Sequence, residues 1–173
     1  MLTAAAQSIG VAALLTACRD DVAPESNSTE PNLPRGFATT TATLRTSDGA
    51  ETALCVWMAD TAELRSQGFR SVDELGADGM VFRWDESTST SFTMSTVRFP
   101  LTLATFDADG RLLEVIDMEP CPSGADCRSY RPSQPLTTAL EVEPGRWAEW
   151  LGPGATLIVE RDRAGVSPSG CQA

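Results

Sequence analysis

Histidine and lysine are absent from this chain, and all 13 of its basic residues are arginine. Their absence excludes a Ser-His-Asp or Cys-His catalytic pair, a lysine Schiff base and histidine ligation of a metal. Positive charge is scarce altogether: 24 Asp and Glu leave a formal net charge of -11. Proteins that hold nucleic acid do so through a basic face, so no nucleic-acid partner is expected. Aromatic residues are also few, with six Phe, four Trp and one Tyr. What is present suffices for a core. Of 173 residues, 42% are hydrophobic, which argues against wholesale disorder and for a single folded domain.

The first 17 residues carry no charge, and Ile9 to Leu15 is an apolar stretch of signal-peptide length. This segment is shorter than the ~20 residues that span hydrocarbon as a helix. It ends in Leu15-Thr16-Ala17-Cys18, a pattern similar to a bacterial lipobox, in which small residues before a Cys fit a peptidase cleft and the Cys thiol takes a diacylglycerol group. The expectation is a signal peptide over 1–17, lipidation at Cys18, and a mature protein held outside the cytosol on a membrane of the cell envelope. Residues 18–36 hold Pro24, Pro31 and Pro34 among Ser, Asn, Asp and Glu, with little to bury. They read as a flexible tether. A single β-rich domain is expected over 37–173.

Five cysteines are present. With Cys18 lipidated, four remain, and in an oxidising envelope four thiols pair. Cys121 and Cys127 bracket the turn-rich Pro122-Ser123-Gly124-Ala125-Asp126 and are the expected disulfide. Cys55 with Cys171 follows by elimination. A cysteine-only metal site or free buried thiols are the alternatives. Without histidine or a C-x2-C spacing the metal reading is the poorer one, and no cofactor or metal is expected.

Strand patterns dominate the domain. Phe37–Thr46 alternates and Ser47-Asp48-Gly49 turns the chain; Leu54, Val56 and Met58 then recur at period two within 52–59. Asp60 with Glu63 three residues on reads as a capping box, opening a short helix that Gly68 ends. Further strands are expected at 80–84, 91–94, 101–106, 111–118, 137–142 and 155–161, with Asp107-Ala108-Asp109-Gly110 as a hairpin turn. Pro144–Leu151 reads as a second short helix, placing Trp147 and Trp150 on one face. The expected class is mainly β, a small antiparallel β-barrel or sandwich with one or two short helices.

Several segments occur in a familiar order. Ala59-Asp60-Thr61-Ala62-Glu63-Leu64-Arg65 running to Gly68, then Gly79-Met80-Val81-Phe82, then Phe92-Thr93-Met94 followed by Pro100-Leu101, then Asp109-Gly110, Pro120-Cys121, Cys127, Tyr130 and Leu140-Glu141 together resemble domain-of-unknown-function family 192. The resemblance covers most of 37–160. It implies a small, mostly antiparallel β domain of exported or membrane-associated proteins, and no assigned reaction. The chain departs from the pattern at Thr93, where the family has Trp, and at Thr96-Val97, where it has Asn-Thr. Thr102 replaces an Asp, Phe69-Arg70 a Leu-Met pair, and Val72 an Arg. An eroded polar centre of this kind counts against catalysis.

The residues beside these segments are the candidate binding site: Trp84, Phe92, Met94, Arg98 and Tyr130, with Arg98 offering a planar fork to an anionic group. The expected function is a non-catalytic module that binds an unknown small ligand or supports an envelope protein. The alternative is a carboxylate hydrolase acting on an envelope glycan, with Glu114, Asp117 and Glu119 as candidates. Such chemistry needs two acids ~5–9.5 Å apart. Residues 114 and 117 fall on opposite faces of one strand, so a solvated charged edge is the plainer explanation. Asp107 and Asp109 invite a calcium reading, but a calcium loop needs about six oxygens and a bidentate acid further on. A plain turn accounts for them.

Overall fold

The computed structural model describes residues 31–123 and 125–160. The segment expected to be a signal peptide (1–17), Cys18, most of the expected tether and Cys171 lie outside the described residues, and so does the expected pairing of Cys171 with Cys55.

The described residues form nine strands and one helix, in chain order β1 (Ala38–Arg45), β2 (Glu51–Ala59), α1 (Ala62–Gln67), β3 (Gly79–Thr88), β4 (Phe92–Thr93), β5 (Leu101–Phe106), β6 (Leu112–Met118), β7 (Ser129–Tyr130), β8 (Leu136–Val142) and β9 (Thr156–Val159). Seven form one sheet in the order β6-β5-β8-β3-β2-β1-β9, and β4 pairs with β7 in a separate ribbon. The fold is mainly β and sandwich-like. The barrel half of the expectation is corrected: the sheet is not closed. Its edge strands meet only near one corner, at an isolated bridge between Arg111 and Thr156. There Gly110 adopts φ +76°, and a Cβ would stand 2.4 Å from the Leu157 carbonyl oxygen, so only glycine fits the turn.

One pair departs from the antiparallel pattern. Strands β2 and β3 run parallel, with Val56 opposite Gly79 and Ala59 opposite Phe82. Parallel neighbours need a crossover, and this crossover carries α1 and the loop after it over one face of the sheet. Thr61, not Asp60, caps α1: its hydroxyl accepts from the Leu64 amide at 3.2 Å, and Gly68 ends the helix at φ 48°. The second expected helix does not form; 144–150 is a chain of turns.

Alternation along the central strands divides the core in two. Met80, Phe82, Leu101, Leu103 and Ala139 face α1 and the β4–β7 ribbon, with Phe69, Val72, Phe92, Met94, Val97, Met118 and Tyr130. Val81, Ala104, Phe106, Leu140 and Val142 face the other way, against Leu44, Leu54, Val56, Leu151 and Leu157. Strand β5 is buried on both sides along its whole length, which is why it carries no solvent-face acid.

The described end of the 18–36 segment lies on the domain. The Asn32 amide donates to Asp73 Oδ2 at 2.9 Å, Asn32 Nδ2 to the Ser71 carbonyl at 2.6 Å, and Gln67 Nε2 to the Arg35 carbonyl at 3.0 Å.

Candidate functional site

Between α1, the start of β3 and the β4 segment lies a cavity of about 360 Å3. Its apolar wall is built by Phe82 and Trp84 of β3 with Phe92 and Met94. Phe92 stands edge-on to both aromatic neighbours, at centroid distances of 5.9 Å to Phe82 and 6.3 Å to Trp84. Trp84 stands where the β3–β8 pairing is interrupted: the register shifts between Arg83, opposite Thr138, and Thr88, opposite Leu136.

Arg65 closes the α1 side. Its guanidinium sits 5.2 Å from the Trp84 ring centroid, and Nη1 donates to the carbonyls of Asp60 (2.6 Å) and Arg83 (2.8 Å). Stacking on an indole and two backbone acceptors fix this side chain in place. Arg70 also lines the cavity but is exposed, and its guanidinium has no ion-pair or hydrogen-bond partner among the described residues.

Glu141 is the acid in the cavity wall. It lies on β8, opposite Met80 of β3 and Leu103 of β5, and only 6% of it is exposed. Its carboxyl has no hydrogen-bond or ion-pair partner among the described residues. Burial alone pushes its pKa up to about 8, so the carboxyl is mostly protonated at neutral pH. A buried acid without a partner is costly, and such groups concentrate at functional sites.

Of the five residues expected at a binding site, the fold brings Trp84, Phe92 and Met94 together in this wall. Arg98 is elsewhere, exposed and ion-paired with Asp73. Tyr130 is buried beside Phe92 across the β4–β7 pair, and its hydroxyl accepts from the Glu119 amide at 2.9 Å. Glu141 appears in the sequence only as part of the family-like Leu140-Glu141 pair and not among the expected site residues. The usable signal was one acid set between Leu140 and Val142 in a strand otherwise free of charge.

The remaining candidates resolve as structural groups. Asp107 accepts from the amides of Asp109 (2.9 Å) and Arg111 (2.8 Å), which makes the hairpin turn, and Asp109 pairs with Arg111 at 2.9 Å. Glu114 accepts from Ser133 N and Oγ at 2.5 and 2.6 Å, and Asp117 from Thr102 Oγ1 at 2.6 Å. No group of His, Cys, Asp or Glu among the described residues has metal-binding geometry. Cys121 and Cys127 form a disulfide with Cα atoms 5.8 Å apart. The Cys121 backbone exchanges hydrogen bonds with Thr96 and Val97 at 2.9 and 3.1 Å, so the disulfide loop braces the chain just beyond Met94.

Residues 43–158 match the DUF192 family, described as Uncharacterized ACR. The chain belongs to this family. Among solved structures it resembles a Novosphingobium aromaticivorans protein of unknown function (TM-score 0.62, 21% identity, 76% of this chain and 94% of that one). It also resembles a Sinorhizobium meliloti protein described as a candidate transcription regulator (TM-score 0.61, 22% identity, 71% and 95%). At these identities the likeness concerns the fold. No curated protein matches the sequence. Against the DUF192 pattern two departures acquire a structural meaning. Thr93 lines the cavity where the pattern has Trp, leaving room at that position. Thr96 holds a left-handed backbone (φ 63°), which suits the Asn of the pattern better than a β-branched residue.

Proposed function

We propose that this DUF192 protein is a lipid-anchored, extracytoplasmic binding module that takes a small molecule into the cavity beside α1. One observation carries the reading: Glu141 is buried, unpartnered and set in an aromatic-lined hollow. A few polar groups in a largely apolar concavity are what small-molecule sites present. The chain keeps an acid here, at a cost in stability, where a leucine would pack. Anchoring through Cys18 would hold the cavity at the membrane surface, and the lipobox-like segment supports that placement. The net charge of -11 and the lack of lysine support a ligand other than nucleic acid.

The paired-carboxylate hydrolase finds less support, because among the described residues Glu141 is the one acid lining the cavity and Glu114 and Asp117 are held by Ser133 and Thr102. A purely structural partner finds little apolar surface: the large exposed hydrophobic residues among those described are Val115 (42%) and Ile158 (47%), one on each sheet edge.

The test is a ligand-observed NMR screen of a small-molecule library against the mature chain and its Thr93→Trp variant, in which an exposed Thr becomes a plug for the cavity. Ligands that bind the parent and are lost with the plug support the reading. A screen with no ligand, or ligands indifferent to the plug, sinks it. Mass spectrometry of the protein from its native membrane should find a diacylated Cys18 terminus; an unlipidated terminus removes the anchoring half.

A further inference from the structure

We infer that the cavity is built for a small zwitterion with an apolar body, its ammonium group against Glu141 and its acid group against Arg70. This inference rests on the binding reading above and specifies its ligand. Among the described residues three charged side chains line the cavity: Glu141 from β8, Arg65 from α1 and Arg70 from the loop after it. The remaining surfaces packed around Glu141 are neutral. Strand β3 contributes Met80, Phe82 and Trp84, strand β5 contributes Leu101 and Leu103, and the β4 segment contributes Phe92, Met94 and Val97.

Each simpler ligand leaves one of these groups unmatched. A plain cation would meet Glu141 but would share the cavity with two guanidinium groups. A plain anion would match the guanidinium groups but hold Glu141 in its protonated form, its carboxyl used only as a donor. A zwitterion satisfies both ends, and the aromatic rings of Phe82, Trp84 and Phe92 with Met94 take the apolar body between them. The two arginines are not equivalent. Arg65 is committed to two backbone carbonyls and the Trp84 face, whereas Arg70 is exposed and has no partner among the described residues. Arg70 is therefore the group available to a ligand carboxylate, with the planar fork that such a group accepts.

An ammonium group placed against Glu141 also stabilises its ionised form, so the carboxyl gives its proton to the solvent as the ligand enters. Binding near neutral pH should then release protons, and affinity should rise with pH until Glu141 is ionised in the free protein.

The experiment is isothermal titration calorimetry of the mature chain with L-phenylalanine, phenethylamine, which lacks the acid, and 3-phenylpropionate, which lacks the amine. L-Phenylalanine should bind at least ~10-fold more tightly than either half. Glu141→Gln should remove its advantage over 3-phenylpropionate, and Arg70→Ala its advantage over phenethylamine. At pH 7, heats measured in buffers of different ionisation enthalpy should show proton release that Glu141→Gln abolishes. Circular dichroism and the melting temperature of each variant report whether it folds. Should either variant fail to fold, the three-ligand ranking and proton release of the parent protein decide the question alone. One of the half-ligands binding as tightly as L-phenylalanine overturns the inference, and so does binding without proton release. So does failure of all three to bind at millimolar concentration. The wider reading of a binding cavity then stands or falls separately, on whether the library screen finds ligands that Thr93→Trp blocks.

Discussion

The two faces of the main sheet are built from the same strands and end differently. On the face holding Val81, Ala104, Phe106, Leu140 and Val142, strands β1 and β2 and the turns around Leu151 press against the core; Asp117 at its margin is held by Thr102, and what remains open there is a hollow of about 230 Å3 beside Trp147, whose buried Nε1 has no hydrogen-bond partner among the described residues. On the face holding Met80, Phe82 and Leu103, a six-residue helix and a two-stranded ribbon form the cover, a hollow remains, and Glu141 stands in it unpartnered. The second face carries the larger hollow and the buried carboxyl, and in a molecule whose net stability is small a buried acid without a partner points to function.

The comparison can be broken first where packing is tightest. Phe106→Ala empties a fully buried position on the closed face, and denaturant unfolding should show a loss of about 3–5 kcal/mol. Ligand binding in the opposite cavity should persist in the fraction that remains folded. Gly79→Ala links the two faces. A Cβ at this position would lie 2.4 Å from the Glu141 carbonyl oxygen and 2.8 Å from a Val142 methyl. Relieving that clash should cost about 1–3 kcal/mol, and because it must displace the Glu141 backbone, binding should weaken as well.

Glu141 itself gives the comparison a pH axis. Its pKa rises from 4.5 in the unfolded chain to about 8 in the folded one. Between these values the native state holds a proton that the unfolded state has released, so this group makes stability fall as pH rises through that window. The limiting slope is about 1.4 kcal/mol per pH unit. Unfolding curves at pH 5.5, 6.5 and 7.5 should show this slope in the parent relative to Glu141→Gln; parallel curves would mean that the carboxyl is solvated or paired after all. The smallest effect concerns the cavity's margin. Thr96→Asn relieves a left-handed backbone at a β-branched residue and should raise stability by about 1 kcal/mol, measured as a higher denaturation midpoint with unchanged ligand affinity.

Much of the fold was legible in the sequence because its signals are local. Strand-like runs, alternating in β1 and β2, located β1, β2, β5, β6 and β8 to within a residue or two, Asp107 to Gly110 announced its hairpin, and Cys121 with Cys127 its disulfide. The errors came where local signals competed or fell silent. Pro144 and the spacing of Trp147 and Trp150 read as a helix, yet the segment is a run of turns that packs both indoles against the closed face. Thr61 took the cap that Asp60 was expected to provide. The two residues of β7 were too short to leave a pattern, and the parallel β2–β3 pair is invisible to periodicity, which records the faces of a strand and not its neighbours.

The candidate site divides along the same line. Trp84, Phe92 and Met94 stood out as an aromatic and thioether group beside recognisable segments, and the fold gathers them into one wall. Arg98 and Tyr130 were selected on the same grounds and went to an ion pair and to a core hydrogen bond. Glu141, quoted only within the family-like Leu140-Glu141 pair, was not read as a site residue because an acid in a strand ordinarily marks its solvent face.

By itself the sequence determined the residue types, and with them the excluded chemistries, the strand periodicity and the short-range turns and disulfide loop, since each depends on atoms close together along the chain. Only the tertiary structure decided what surrounds Glu141. Placing β8 between β3 and β5, beneath the crossover that a parallel pair requires, removed water from one carboxyl. Desolvation is a property of everything packed around a group, and the contacts that cause it come from segments far apart in the chain.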